Sequence, residues 1–100
     1  MPDVLTVVAR IYPKPGCEDQ LEAILIKQAE AVRKAEPDCI VYRPHRSAKE
    51  PVVFLFYEQY RSAAAFEFHR TAPHLAAFQE QRKGLVARAV EVEIYRSLTD

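Results

Sequence analysis

The chain predicts an α+β fold: a ferredoxin-like split β-α-β-β-α-β unit with an antiparallel sheet. Three observations predict it. Strand-like and helix-like periodicities alternate in that order along the sequence. The first and third strand segments, the central pair of this topology, are also the two that carry apolar residues on both faces. The composition, 49% hydrophobic with only two Gly among 100 residues, suits a compact globule and excludes disorder. A single domain over residues 1–100 is expected, large enough for a core and small enough to gain from oligomerisation.

Each element has its own warrant. Residues 4–12, VLTVVARIY, are rich in β-branched side chains and stop at Pro13, which has no amide to give to a ladder. KPGC turns the chain, and Glu18 and Asp19 then place negative charge in the first turn of a helix. Leu21, Ile24, Leu25, Gln28 and Val32 form its core stripe, and Pro37 disfavours helical angles at Glu36, so this helix should end near Ala35. Residues Cys39–Arg46 read as a strand placed at an edge by Pro44. Val52–Tyr60, VVFLFYEQY, is the third strand. Ser62 is the N-cap of a short helix to about Arg70, and Pro73 opens a second short helix that ends near Gly84. Val86–Ser97 closes the pattern, with Val86, Val90, Val92 and Ile94 on one face and Glu91 and Glu93 on the other.

Charge and composition exclude several classes of partner. Lys+Arg and Asp+Glu are both 14, so no basic field attracts nucleic acid or an anionic membrane. No apolar run approaches the length of a membrane span and the amino terminus has no leader pattern, which points to a cytoplasmic protein. Cys17 and Cys39 match no zinc spacing and are expected to be free thiols. Helices on one side of a sheet whose central strands are apolar on both faces leave a face that needs cover. A second copy stacking its sheet on the first would supply it, giving a symmetric homodimer.

The chemistry-bearing residues concentrate between Phe54 and Phe78. The pattern Glu58-x-Tyr60-x-Ser62, then His69, Pro73-His74 and Phe78, with the Pro15-Gly16 turn and the segment EPDCIVY, resembles the antibiotic biosynthesis monooxygenase (ABM) superfamily of dimeric α/β barrels. The resemblance covers nearly the whole chain and implies a small-molecule substrate. It admits cofactor-independent monooxygenases of quinols, an isomerase of a phosphorylated sugar, haem degraders and members without known reaction. Haem-degrading members rely on Asn and Trp, and this chain has neither. Tyr60 stands where the family usually has Trp, and Asp38 where it commonly has Gly. The quinol monooxygenase and phospho-sugar isomerase branches stay open, and fold alone does not choose between them.

A cofactor-free oxygenase must first make an electron-rich anion from its substrate, which takes a base in a dry pocket. Imidazole is the natural base near neutral pH, so His69 is the candidate, with Glu58 to orient it; a purely structural histidine–carboxylate pair is the alternative. His74, in the first turn of a helix, could contact a substrate oxygen or serve the helix junction. Phe54, Phe56 and Tyr60 share a strand face with Glu58 and, with Tyr42 and Phe78, are candidate walls for a flat ring, although rings on a central strand are also ordinary core. Arg10, Arg43 and Arg61 are weaker candidates for a substrate anion, and their presence at the pocket would favour the isomerase. No metal is expected, because His69 and His74 lack the i, i+4 spacing of a helical ligand pair. No cofactor is required. The expected function is thus a cofactor-independent monooxygenase of a hydroquinone-like or phenolic compound, with an isomerase or tautomerase, or a non-catalytic binding module, as rivals.

Overall fold

The structure, a computed structural model, describes residues 3–99; residues 1, 2 and 100 of the expected domain lie outside the described residues. The elements are β1 (Leu5–Ile11), α1 (Glu18–Ala35), β2 (Cys39–Arg46), β3 (Phe54–Tyr60), α2 (Ala63–Arg70), α3 (Pro73–Arg82) and β4 (Glu91–Arg96). The sheet runs β2-β3-β1-β4 with every neighbouring pair antiparallel, so β1 and β3 are central and β2 is an edge, as their patterning predicts.

Local chemistry fixes most boundaries. The α1 carbonyl ladder closes with the Glu36 amide donating to Val32, just before Pro37. The Ser62 hydroxyl accepts from the Ala65 amide at 3.2 Å and starts α2. Gly84, with φ of 86°, lets the chain leave α3 in a conformation other residues avoid. Three strands are shorter than the sequence suggests, β1 by one residue at each end and two others by more. The Ser47 hydroxyl accepts from the Val53 amide, so β3 starts at Phe54 rather than Val52. Residues 86–90 do not join β4: Val86 makes only an isolated bridge to Pro13, while Leu85, Val86 and Val90 pack on the core.

The sheet register sorts side chains into two faces. Tyr42, Glu58, Val7 and Ile94 form one row, and Pro44, Phe56, Ala9 and Val92 the next, both on the helix side. Leu21 and Leu25 of α1, Phe78 of α3 and the sheet residues Ile11, Phe54 and Phe56 make the core. The helices leave β4 uncovered, so Val92 and Ile94 are 54% and 55% exposed although they face the helix side. The opposite face is more polar than the central strands alone suggest. Val8, Leu55 and Tyr57 lie at its middle, flanked by Arg43 and His45 of β2 and by Glu91 and Glu93 of β4. Arg10 pairs with Glu93 there. Both cysteines are free and half-buried. No helix among the described residues is long and apolar enough to cross a membrane.

Candidate active site

A cavity of about 480 Å³ lies between the sheet and the short helices α2 and α3. Ala9, Ile11, Phe56 and Val92 form the apolar part of its sheet side, and Leu75, Phe78 and Val90 line it opposite. Its polar groups are Tyr42, Glu58, His69, Gln79 and two arginines, Arg70 and Arg82. A concave site that joins apolar walls to convergent polar groups suits a small, oxygen-bearing molecule.

His69 reaches the cavity from α2 and is only 4% exposed. Its ring lies 5.3 Å from both Tyr42 and Tyr60 and stacks on Phe66 at 6.5 Å. Nδ1 of His69 is 2.8 Å from Oε2 and 3.1 Å from Oε1 of Glu36. His74, on the first turn of α3, bonds the same Oε2 through Nε2. Burial pushes the Glu36 carboxyl up, but the hydrogen bonds from His69 and His74 and their proximity outweigh it and hold the group below its usual range. An ionised carboxylate only accepts, so both imidazoles donate to it. That fixes the His69 tautomer and leaves Nε2 as the nitrogen available to the cavity.

Glu58 is a second buried carboxyl with a different environment. Tyr60 donates to its Oε1 at 2.6 Å. Burial raises its pKa to about 7, against the opposing effects of the Tyr60 bond and of His69. Glu58 therefore exchanges a proton near neutrality, while Glu36 stays ionised. Burial also pushes the Tyr42 hydroxyl well up, so it remains a neutral donor.

The structure redistributes the residues singled out by sequence. His69, Glu58, Phe56, Tyr42 and Phe78 do line one cavity. The partner of His69 is Glu36, however, not Glu58, whose carboxyl is engaged by Tyr60. Tyr60 is fully buried behind Glu58 and does not line the cavity, and Phe54 lies in the core with Leu21 and Leu25. His74 is not on the cavity wall; it holds Glu36 from the far side. Arg10 is drawn to Glu93 on the other face of the sheet and Arg61 lies 3.7 Å from Asp38 at the surface. The two arginines that do reach the cavity, Arg70 and Arg82, were not singled out by sequence.

Glu36 is not singled out by sequence either, yet a signal exists: it continues the i, i+4 phase of the buried α1 stripe one turn beyond Val32, where a carboxylate must find partners. The ligand-capable atoms of Glu36, His69 and His74 all lie within 4.8 Å of one another. Two imidazoles and a carboxylate are a donor set that divalent transition metals accept. The spacing of His69 and His74 along the chain does not reveal this third group, which α1 brings in from 33 residues upstream of His69.

Comparison with known proteins places this architecture. Residues 4–81 match the family model described as antibiotic biosynthesis monooxygenase. Rv0793 of Mycobacterium tuberculosis, which is named as a candidate monooxygenase, is 33% identical over 100 residues, covering 100% of this chain and 97% of its own. The uncharacterised Synechocystis protein sll1783 is 32% identical over 94 residues, which are 94% of this chain; the match spans 63% of that longer protein. Among solved structures, a candidate antibiotic biosynthesis monooxygenase from Caulobacter crescentus superposes with a TM-score of 0.92 at 26% identity, covering 98% of this chain and 92% of that one. The Rv0793 structure gives a TM-score of 0.86 at 31% identity over 97% of each chain. With its fold, its histidine-bearing cavity and a family match over most of its length, the chain belongs to the antibiotic biosynthesis monooxygenase family.

Proposed function

We propose that the protein is a cofactor-independent monooxygenase acting on a hydroquinone-like or phenolic small molecule, with His69 as the base. One observation carries the reading: His69 is held through Nδ1 by the buried, ionised Glu36, while its ring lines an aromatic-walled cavity. That is the arrangement of an oriented general base. His69 Nε2 takes the proton of the substrate hydroxyl, and Glu36 stabilises the imidazolium that forms. The electron-rich anion then reduces O₂. For hydroquinone itself the balance is hydroquinone plus O₂ giving hydroxybenzoquinone plus water: one oxygen atom enters the ring, the other leaves as water, and the substrate supplies all the electrons. Glu58, titrating at about 7, can return a proton to the oxygen intermediate.

The same reading takes residues 1–100 as one domain of a cytoplasmic homodimer that pairs through the open sheet face. An isomerase or tautomerase of a small oxygenated compound is the second reading. The specific observation in its favour is that His69 and Glu58 line one cavity as a base and a near-neutral acid, which is all a proton shift needs. A non-catalytic module fits less well, because the cavity is not filled by the protein's own rings and His69 bonds a carboxylate rather than backbone.

Oxygen uptake with a panel of hydroquinones, in the presence of a chelator and corrected for spontaneous oxidation, separates these readings. The expected result is uptake by the wild-type protein that falls at least about 100-fold in His69→Ala and about tenfold or more in Glu36→Gln. Solvent deuterium entering a substrate without O₂ consumption would support the isomerase instead. Uptake unchanged in His69→Ala would remove His69 as the base.

A further inference from the structure

Two cations line the cavity, and the protein treats them differently. Arg70 is engaged: its Nη1 lies 3.1 Å from Oε2 of Glu67, one turn earlier on α2. Arg82 forms no ion pair with any carboxylate among the described residues. Its guanidinium sits 4.8 Å over the Phe78 ring, half-buried at the cavity wall. Burial pulls its pKa below the ordinary arginine value, although a guanidinium stays charged at any working pH. A partly desolvated charge with no carboxylate partner carries a free-energy cost that an arriving anion relieves.

Helical phase explains how Arg82 comes to be there. Leu75, Phe78, Gln79 and Arg82 recur at i, i+3, i+4, i+7, and all four line the cavity. The apolar pair forms the wall, and the polar pair places an amide and a guanidinium together near the end of α3. His69 reaches the cavity from the end of α2, and Phe56 and Phe78, edge to face at 6.1 Å, contribute aromatic wall.

Building on the reading of this cavity as the site of a phenolic substrate, we infer that the substrate carries a carboxylate, which pairs with Arg82 while its hydroxyl faces His69. The charge count selects a carboxylate over a phosphate monoester. One unpaired guanidinium matches a single negative charge bidentately, and the other cavity arginine is already bound to Glu67. A phosphate monoester would bring nearly two charges into a cavity whose wall already carries the buried Glu58.

Anaerobic calorimetric titration with 2,5-dihydroxybenzoate and its methyl ester tests the inference, since the pair differs in the charge. The wild-type protein should bind the acid about tenfold or more tightly than the ester, the size expected of a charge-assisted hydrogen bond. Arg82→Gln should erase the preference and leave ester affinity unchanged, whereas Arg70→Gln should keep it. Equal binding of acid and ester by the wild type overturns the inference, without reliance on any variant folding. A preference that survives in Arg82→Gln overturns it too. Benzoate and phenyl phosphate separate the remaining cases. Phenyl phosphate binding more tightly than benzoate would replace the carboxylate assignment. Benzoate binding that depends on Arg82, without oxidation of any hydroquinone, would uphold the anion site and remove the oxygenase reading. Oxidation of neutral hydroquinones with no preference for acids would do the reverse.

Discussion

Two carboxyl groups buried in one small site titrate in opposite directions, and the difference is a matter of partners. Glu36 has two imidazole donors and is held low; Glu58 has one phenol donor and is raised from 4.5 to about 7 by burial. Their contributions to stability therefore have opposite signs. Between pH 4.5 and about 7 the folded chain keeps a proton on Glu58 that the unfolded chain has lost, so stability falls as pH rises through that window and levels off above it. Glu36 does the reverse: its contribution is present above its unfolded pKa and is lost as pH falls through its lower folded value. Glu58→Gln should remove the first slope. Urea melts should find the variant about 2–3 kcal/mol more stable than wild type at pH 8, with little difference at pH 5. Parallel curves at the two pH values would mean that Glu58 is ionised throughout. At this scale the sequence was only half legible. His69 and Glu58 stand out because their types and positions suggest chemistry. Glu36 and Arg82 look like ordinary surface charges until helical phase is followed one turn past Val32 and past Phe78, where each turns inward.

Among the elements, α1 was the easiest to read and has the plainest job. Its stripe of Leu21, Leu25 and Val32 is buried, with Ala29 completing the face, and Pro37 stops it where its last turn delivers Glu36 to the histidines. Packing of this helix thus sets the position of the group that orients His69. Leu25, 1% exposed, should cost about 2–5 kcal/mol as Leu25→Ala, through the cavity left in the core. Its neighbour Ile26, 50% exposed, should cost under about 1 kcal/mol as Ile26→Ala. Equal losses in denaturant melts would place α1 in a different rotation from the one described. The last strand was harder to read. Alternation from Val86 onward looks like one continuous strand, but Lys14 and Tyr12 engage Leu85 and Ala87 through backbone bonds, and the chain only joins β1 in register from Glu91. Periodicity reports which residues want burial, and it does not say which ladder will accept their amides.

For the whole molecule, topology followed from element order and from which strands are apolar on both sides, because only β1 and β3 have neighbours on both edges. What order alone could not settle is how apolar the open sheet face is. Its middle holds Val8, Leu55 and Tyr57 together with Arg10, and Arg43, Glu91 and Glu93 lie on the flanking strands. The proposed dimer would bury these apolar side chains and keep the charges of the flanking strands nearer its rim. A chain of this size also gains from sharing a core. If two copies pair through this face, Tyr57 meets the partner near the centre of the contact, while Val92, on the helix side of β4, does not. Tyr57→Lys should then halve the mass seen by light scattering, since an unpaired charge at the middle of a buried face is costly, and Val92→Lys should leave it unchanged. Loss of the dimer in Val92→Lys alone would instead assign the interface to the exposed helix-side edge of β4, beside the mouth of the cavity.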